Sequence, residues 1–144
     1  MKTGLVLVIA VLVSVAVAGC SSGPKSRSAT KSVEVSIDDV RTQSAIGRDI
    51  TLAVGDTLKV TLGSNHTTPF RWKADAKIGD PAIVKQTSHD YLRGNPDLMG
   101  APGNEVWMFS ALKAGTTTVV TDYASIVGSD PAPVCTFTAT VTVK

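Results

Sequence analysis

The nine residues before the carboxyl-terminal lysine alternate without a break. Cys135, Phe137, Ala139, Val141 and Val143 fall on one side of an extended chain, and Thr136, Thr138, Thr140 and Thr142 fall on the other. Wound as a helix, this run would scatter its apolar groups around the axis; only a strand gathers them on one face. The same period recurs upstream. Val33, Val35 and Ile37 alternate with Glu34, Ser36 and Asp38, and Leu58, Val60 and Leu62 with Thr57, Lys59 and Thr61. Trp107, Phe109 and Ala111 oppose Val106, Met108 and Ser110, and Gly115–Tyr123 is rich in Thr and Val. Short runs of this kind are half-buried strands. Turn signals at Val54-Gly55-Asp56 and Lys113-Ala114-Gly115 are read as tight hairpins. No sustained helical stripe is visible. The expectation is an all-β, immunoglobulin-like two-sheet sandwich of about seven to eight strands.

The first 19 residues stand apart from that pattern. Lys2 precedes an apolar run, Gly4–Ala18, and the run ends in Val17-Ala18-Gly19-Cys20. This reads as a lipoprotein signal peptide cleaved before Cys20, whose thiol and new amino terminus would be acylated. The run is shorter than the ~20 residues of a comfortable membrane span. Residues 20–32, Ser-rich and without a large apolar side chain, then read as a flexible tether. Residues 33–144 suffice for one domain. The expected location is the cell envelope, lipid-anchored and facing the extracytoplasmic side.

Charge excludes one class of partner. The 14 basic residues less Lys2 leave 13 against 12 acidic ones, with no basic patch, so nucleic acid is not expected. Neither a phosphate-binding glycine loop nor a GxSxG elbow occurs. Cys135 with His66 or His89 offers the ingredients of a Cys–His hydrolase. Its alternation with Phe137 and Val141 makes Cys135 a small core hydrophobe instead. The two histidines lack a metal-ligand spacing, and Asn65-His66-Thr67 matches a glycosylation pattern only by accident on a bacterial-style lipoprotein. No cofactor and no metal are expected.

Between two strand-like runs lies Ser64-Asn65-His66-Thr67-Thr68-Pro69-Phe70, polar and rigid, the composition of a binding loop on a β scaffold. With Trp72 after it, the segment resembles the first inhibitory loop of chagasin-type inhibitors of papain-like cysteine peptidases, an Asn-Pro-Thr-Thr-Gly followed by Phe or Tyr. Asn65, Thr67, Thr68 and Phe70 match; His66 and Pro69 replace Pro and Gly. Gly100-Ala101-Pro102-Gly103 matches the family's second loop, Gly-x-x-Gly. Leu112–Thr116 and Tyr123 match the approach to the third. There the family's Arg-Pro-Trp is replaced by Ala124-Ser125-Ile126-Val127-Gly128.

The resemblance implies a non-enzymatic, monomeric inhibitor whose three loops wedge into a peptidase cleft. Asn65 would hold the first turn, with Thr67 and Thr68 at its apex, their hydroxyls meeting the cleft, and Phe70 at its base. Gly100 and Gly103 would let the second loop lie close, with Ala101 between them and Pro102 stiffening it. Ser125, Ile126 and Val127 would supply the third. A peptidase and, through Cys20, a lipid bilayer are the implied partners. The alternative is a cell-envelope adaptor or adhesin on the same scaffold. Loops gathered into one projecting edge would favour the inhibitor; loops apart or collapsed on the core would favour the adaptor.

Overall fold

The computed structural model describes residues 27–144. The leader, Cys20 and the tether as far as residue 26 lie outside the described residues. Among those described are nine strands and one short helix: β1 (Thr30–Val35), α1 (Ile37–Thr42), β2 (Ala45–Leu52), β3 (Thr57–Ser64), β4 (Phe70–Trp72), β5 (Lys77–Ile78), β6 (Val84–Leu92), β7 (Gly103–Ala111), β8 (Gly115–Ser125) and β9 (Cys135–Val143). They form a two-sheet sandwich. One sheet runs β1-β3-β7-β6; the other runs β2-β9-β8-β4, with β5 continuing the β4 edge along β8. No helix among the described residues is long and apolar enough to cross a membrane.

The alternation predicts the core. Leu58, Val60 and Leu62 of β3 meet Trp107, Phe109 and Ala111 of β7 on the inner face of the first sheet. Cys135, Phe137, Ala139, Val141 and Val143 of β9, with Val119 and Tyr123 of β8, line the second. Trp72 stands edge-on to Trp107, centroids 6.5 Å apart at 89°, the arrangement favoured by the ring quadrupoles. The strand-like run after the polar loop is β4, three residues long; β5, of two residues, is too short to display a period and was not expected.

Three local expectations change. Strand β1 starts at Thr30, inside the segment expected as tether, and pairs in parallel with β3 from Thr30↔Thr57 to Val35↔Leu62. Its polar side chains hid it, because at this sheet edge the residues before Val35 stay exposed or half-exposed. Secondly, Ile37 opens a helix rather than ending a strand. Ser36 caps it by accepting the Asp39 amide at 3.1 Å, Asp38 and Asp39 occupy the first turn, and Arg41 the last. Six residues burying only Val40 cannot show a helical stripe. Finally, neither tight turn is a hairpin. Gly55 (φ +92°) joins β2 of one sheet to β3 of the other, and Gly115 follows the crossing from β7 to β8. A tight turn reverses the chain; distant pairing partners decide which sheet each arm joins.

Candidate functional site

The register places the loop ends together. β3 ends at Ser64 opposite Gly103, where β7 begins, and Leu92 at the end of β6 pairs with Asn104. In the other sheet, Phe70 at the start of β4 pairs with Ser125 at the end of β8, and Tyr123 pairs with Cys135 at the start of β9. The connections 65–69, 93–102 and 126–134 therefore leave the sandwich at one pole. They form one edge.

Asn65 organises it. Although only 5% exposed, it uses both side-chain atoms and both backbone groups. Its Oδ1 accepts from the Thr67 amide (3.0 Å) and hydroxyl (2.6 Å), which is an Asx turn. Its carbonyl accepts from the Thr68 amide (3.1 Å) and hydroxyl (2.6 Å). Its Nδ2 donates to Gly100 O at 3.1 Å, joining the first loop to the second, and its amide reaches the Tyr123 hydroxyl at 3.3 Å. The Thr67 and Thr68 hydroxyls, expected to meet a partner, are thus turned into the loop. Arg71 completes the frame by donating to the carbonyls of Thr68 (2.6 Å), Phe70 (2.7 Å) and His66 (2.9 Å). The Ile126 amide donates to Pro69 O at 2.8 Å and ties in the third loop.

Thr67 and Pro69 are exposed at the apex, Thr68 is half-buried, and Phe70 packs at the base on Tyr123. In the second loop Gly100 holds φ +74° in the open, and Ala101 and Pro102 follow at the surface. Gly103 does not offer a surface for close approach: it is buried in β7, and a Cβ there would strike Leu92 O and the Tyr91 ring. Leu98 and Met99 are the exposed apolar tip of this loop, and Ile126 and Val127 that of the third. Ser125 Oγ accepts the Val127 amide at 3.1 Å. A cleft of about 410 Å³ separates the first two loops, lined by His66, Thr67, Tyr91, Arg93 and Leu98 among others.

One residue was missed. Glu105 lies on the inner face of β7 and is 2% exposed. His89 Nε2 is 3.2 Å from its Oε1, His66 Nε2 is 3.7 Å from its Oε2, and the Trp72 amide donates to Oε2 at 3.2 Å. The signal was there: Glu105 precedes Trp107, Phe109 and Ala111 at period two, a charge on a core face. Both histidines belong to this cluster. Burial first, and then the Arg71 guanidinium, hold the His66 imidazole below its ordinary pKa against the pull of Glu105. Burial pushes the Cys135 thiol up, away from the thiolate a nucleophile requires. Among the described residues no group of three or more His, Cys, Asp or Glu is placed to hold a metal ion.

A two-sheet sandwich with three loops braced at one pole is an immunoglobulin-like module that presents a loop edge. The chain belongs to the chagasin family of peptidase inhibitors: the pattern of the Chagasin family peptidase inhibitor I42 matches residues 51–141. This membership is that of an inhibitor, not an enzyme. The fold is similar to that of the cysteine protease inhibitor EhICP2 from Entamoeba histolytica, at 19% identity and TM-score 0.62 over 85% of this chain and 100% of that one. It is similar also to PbICP-C, whose structure is that of a complex with falcipain-2 (19% identity, TM-score 0.62, 79% and 99% covered). Amebosin, in solution, gives 20% identity and TM-score 0.53 with 82% and 99% covered. None of the curated proteins compared matches the chain.

Proposed function

We propose that the protein inhibits papain-like cysteine peptidases by seating its three-loop pole in the active-site cleft. The observation that carries this reading is the bracing of the edge: Asn65 Nδ2 holds the second loop through Gly100 O, and Pro69 O holds the third through the Ile126 amide. A pre-ordered edge loses little conformational entropy on docking. EhICP2 is a cysteine protease inhibitor and PbICP-C meets falcipain-2; both support the target class. Here Thr67 and Pro69 form the apex, with Asn65 and Phe70 supporting from below. Leu98 and Met99 of the second loop provide one apolar flank, and Ile126 and Val127 provide the other, where the family has its Arg-Pro-Trp. Asn65 and Gly103 shape the edge rather than touch the partner.

The same proposal includes a lipid anchor at Cys20 and an extracytoplasmic cell-envelope location, on the strength of Val17-Ala18-Gly19-Cys20. The topology gives the anchor a consequence. Thr30, where β1 begins, pairs with Thr57 at the pole opposite the loops, which supports an orientation with the inhibitory edge away from the lipid. Titration of the protein against a panel of papain-like peptidases tests the reading. Stoichiometric inhibition is expected, and full peptidase activity at a large excess of the folded protein would reject it.

A further inference from the structure

Glu105 is a carboxylate in a core position, which is costly unless its oxygens are occupied. Its partners come from three places. Trp72 of β4 donates its amide, His89 of β6 stands at Oε1, and His66 of the first loop faces Oε2. The Lys73 amide reaches Asp122 O across the β4–β8 pair, so the Trp72 amide one residue earlier points away from β8. Glu105 takes that orphaned donor and ties the strand leaving the first loop to the opposite sheet. Within the loop, the His66 ring lies flat on Tyr91, centroids 3.5 Å apart at 6°. Its Nε2 is buried without a hydrogen bond. The charged and titratable groups around it are Glu105, His89, Tyr91, Arg71 on its own carbonyl, and Arg93 lining the same cleft.

We propose that Glu105 is the positioning residue of the first loop and that a proton taken up by His66 releases that loop, weakening the peptidase-binding edge in acid; this rests on the inhibitor reading above. Water solvates an imidazolium better than this site does. Burial and Arg71 oppose the charge, and Glu105, at 3.7 Å without a hydrogen bond, offsets them only in part. The protonated ring therefore gains by leaving Tyr91, and the turn that carries it follows. Above the ordinary imidazole value of 6.5 both loop states are neutral and nothing is lost. Between 6.5 and the lower value of the ordered loop, each pH unit disfavours that loop by up to about tenfold.

The test uses the full chain in detergent solution. Amide exchange at Thr67 and Thr68, corrected for its intrinsic pH dependence, is expected to rise by up to about thirtyfold between pH 7.5 and 5, while Thr138 and Thr140 in β9 stay protected. His66→Phe keeps a flat ring over Tyr91 and takes no proton, so its exchange is expected to lose this response. The ratio of wild-type to His66→Phe inhibition constants against papain should rise in acid, a ratio that cancels the peptidase's own pH dependence. Glu105→Gln keeps an acceptor for Trp72 and removes the charge that favours protonated His66, so the acid response should steepen. If that variant fails to fold, the His66→Phe comparison decides alone. Equal protection of the wild-type loop at both pH values, or an unchanged response in His66→Phe, overturns the proposal. A loop that loosens in acid on a protein inhibiting no papain-like peptidase at any pH would leave the release standing and remove the inhibitor reading.

Discussion

Asn65 and Thr67 divide the labour at the loop apex: one is buried and holds the shape, the other is exposed and presents it. Asn65→Ala removes the Asx turn and the link to Gly100 O. It should destabilise the fold by about 1–3 kcal/mol, the range for leaving buried groups unpaired, and weaken inhibition further by freeing the second loop. Thermal unfolding and an inhibition constant on the same variant separate these effects. Thr67→Glu with Thr68→Glu should cost about 1 kcal/mol in stability, because both hydroxyls bond within the loop. Its cost in binding should be several kcal/mol, since a charge forced into a closed cleft finds no partner. Thr138→Glu with Thr140→Glu, on the other face of β9 from the core, is the control. The two loop glycines also part company. Gly100→Ala meets only the Thr67 hydroxyl, at an ordinary contact of 4.0 Å, but keeps a positive φ, a cost of about 1–2 kcal/mol. Gly103→Ala strikes Leu92 O and must shift β6, so it should unfold at the lower temperature.

At the scale of elements, the amino-terminal strand is the less obvious support. Asp56, in the turn before β3, accepts the amides of Ala29 and Ala53, each at 2.9 Å. These bonds hold its carboxyl below the ordinary carboxylate range. The sign follows from the depressed value. The stabilisation is present above the unfolded carboxylate pKa and is lost as pH falls through the lower folded one. Asp56→Asn should abolish that acid step, with denaturant midpoints between pH 5 and 2 as the measurement. A chain beginning at Val33 would lack the Thr30–Ser32 pairing with β3 and both bonds of Ala29, its amide to Asp56 and its carbonyl from the Thr57 amide. At roughly 1 kcal/mol per lost hydrogen bond it should be about 3–4 kcal/mol less stable than one beginning at Arg27; chemical denaturation decides this. For α1, the Ser36 cap is worth about 1 kcal/mol, read as the stability lost on Ser36→Ala.

The whole molecule has two poles with different work. One gathers three loops and the Glu105 cluster; the other carries the crossings at Gly55 and Gly115 and the start of β1. If Cys20 is acylated, the loop pole projects outward, and inhibition of a soluble peptidase should be the same for anchored and released protein. Cys20→Ser should abolish labelling by a fatty-acid probe while leaving inhibition intact. Equal labelling of that variant would reject the anchor. Cys135, deep between the sheets, should react slowly with a bulky thiol reagent until the protein unfolds.

Much of this was written locally. Alternation along β3, β7 and β9 determined strand identity and inward faces, because a strand sorts side chains by a period that a few residues reveal. The Asx turn of Asn65 was legible because turn chemistry is local too. Thr67, Thr68, Gly100 and Gly103 stood out only through the family resemblance, and it is packing that turns both hydroxyls into the loop and buries Gly103. What the sequence could not determine depended on partners far along the chain. Whether Gly55 makes a hairpin or a crossing turns on pairing with residues 136–143 and 103–110. The polar residues before Val33 became a strand only because the edge of β3 was open to them. The histidines, 23 positions apart, became neighbours through one buried carboxylate, since the loop after β3 and the middle of β6 both lie against β7. Tertiary structure alone decided that, because burial changes the chemistry of a charge and no local pattern records which charges will be buried together.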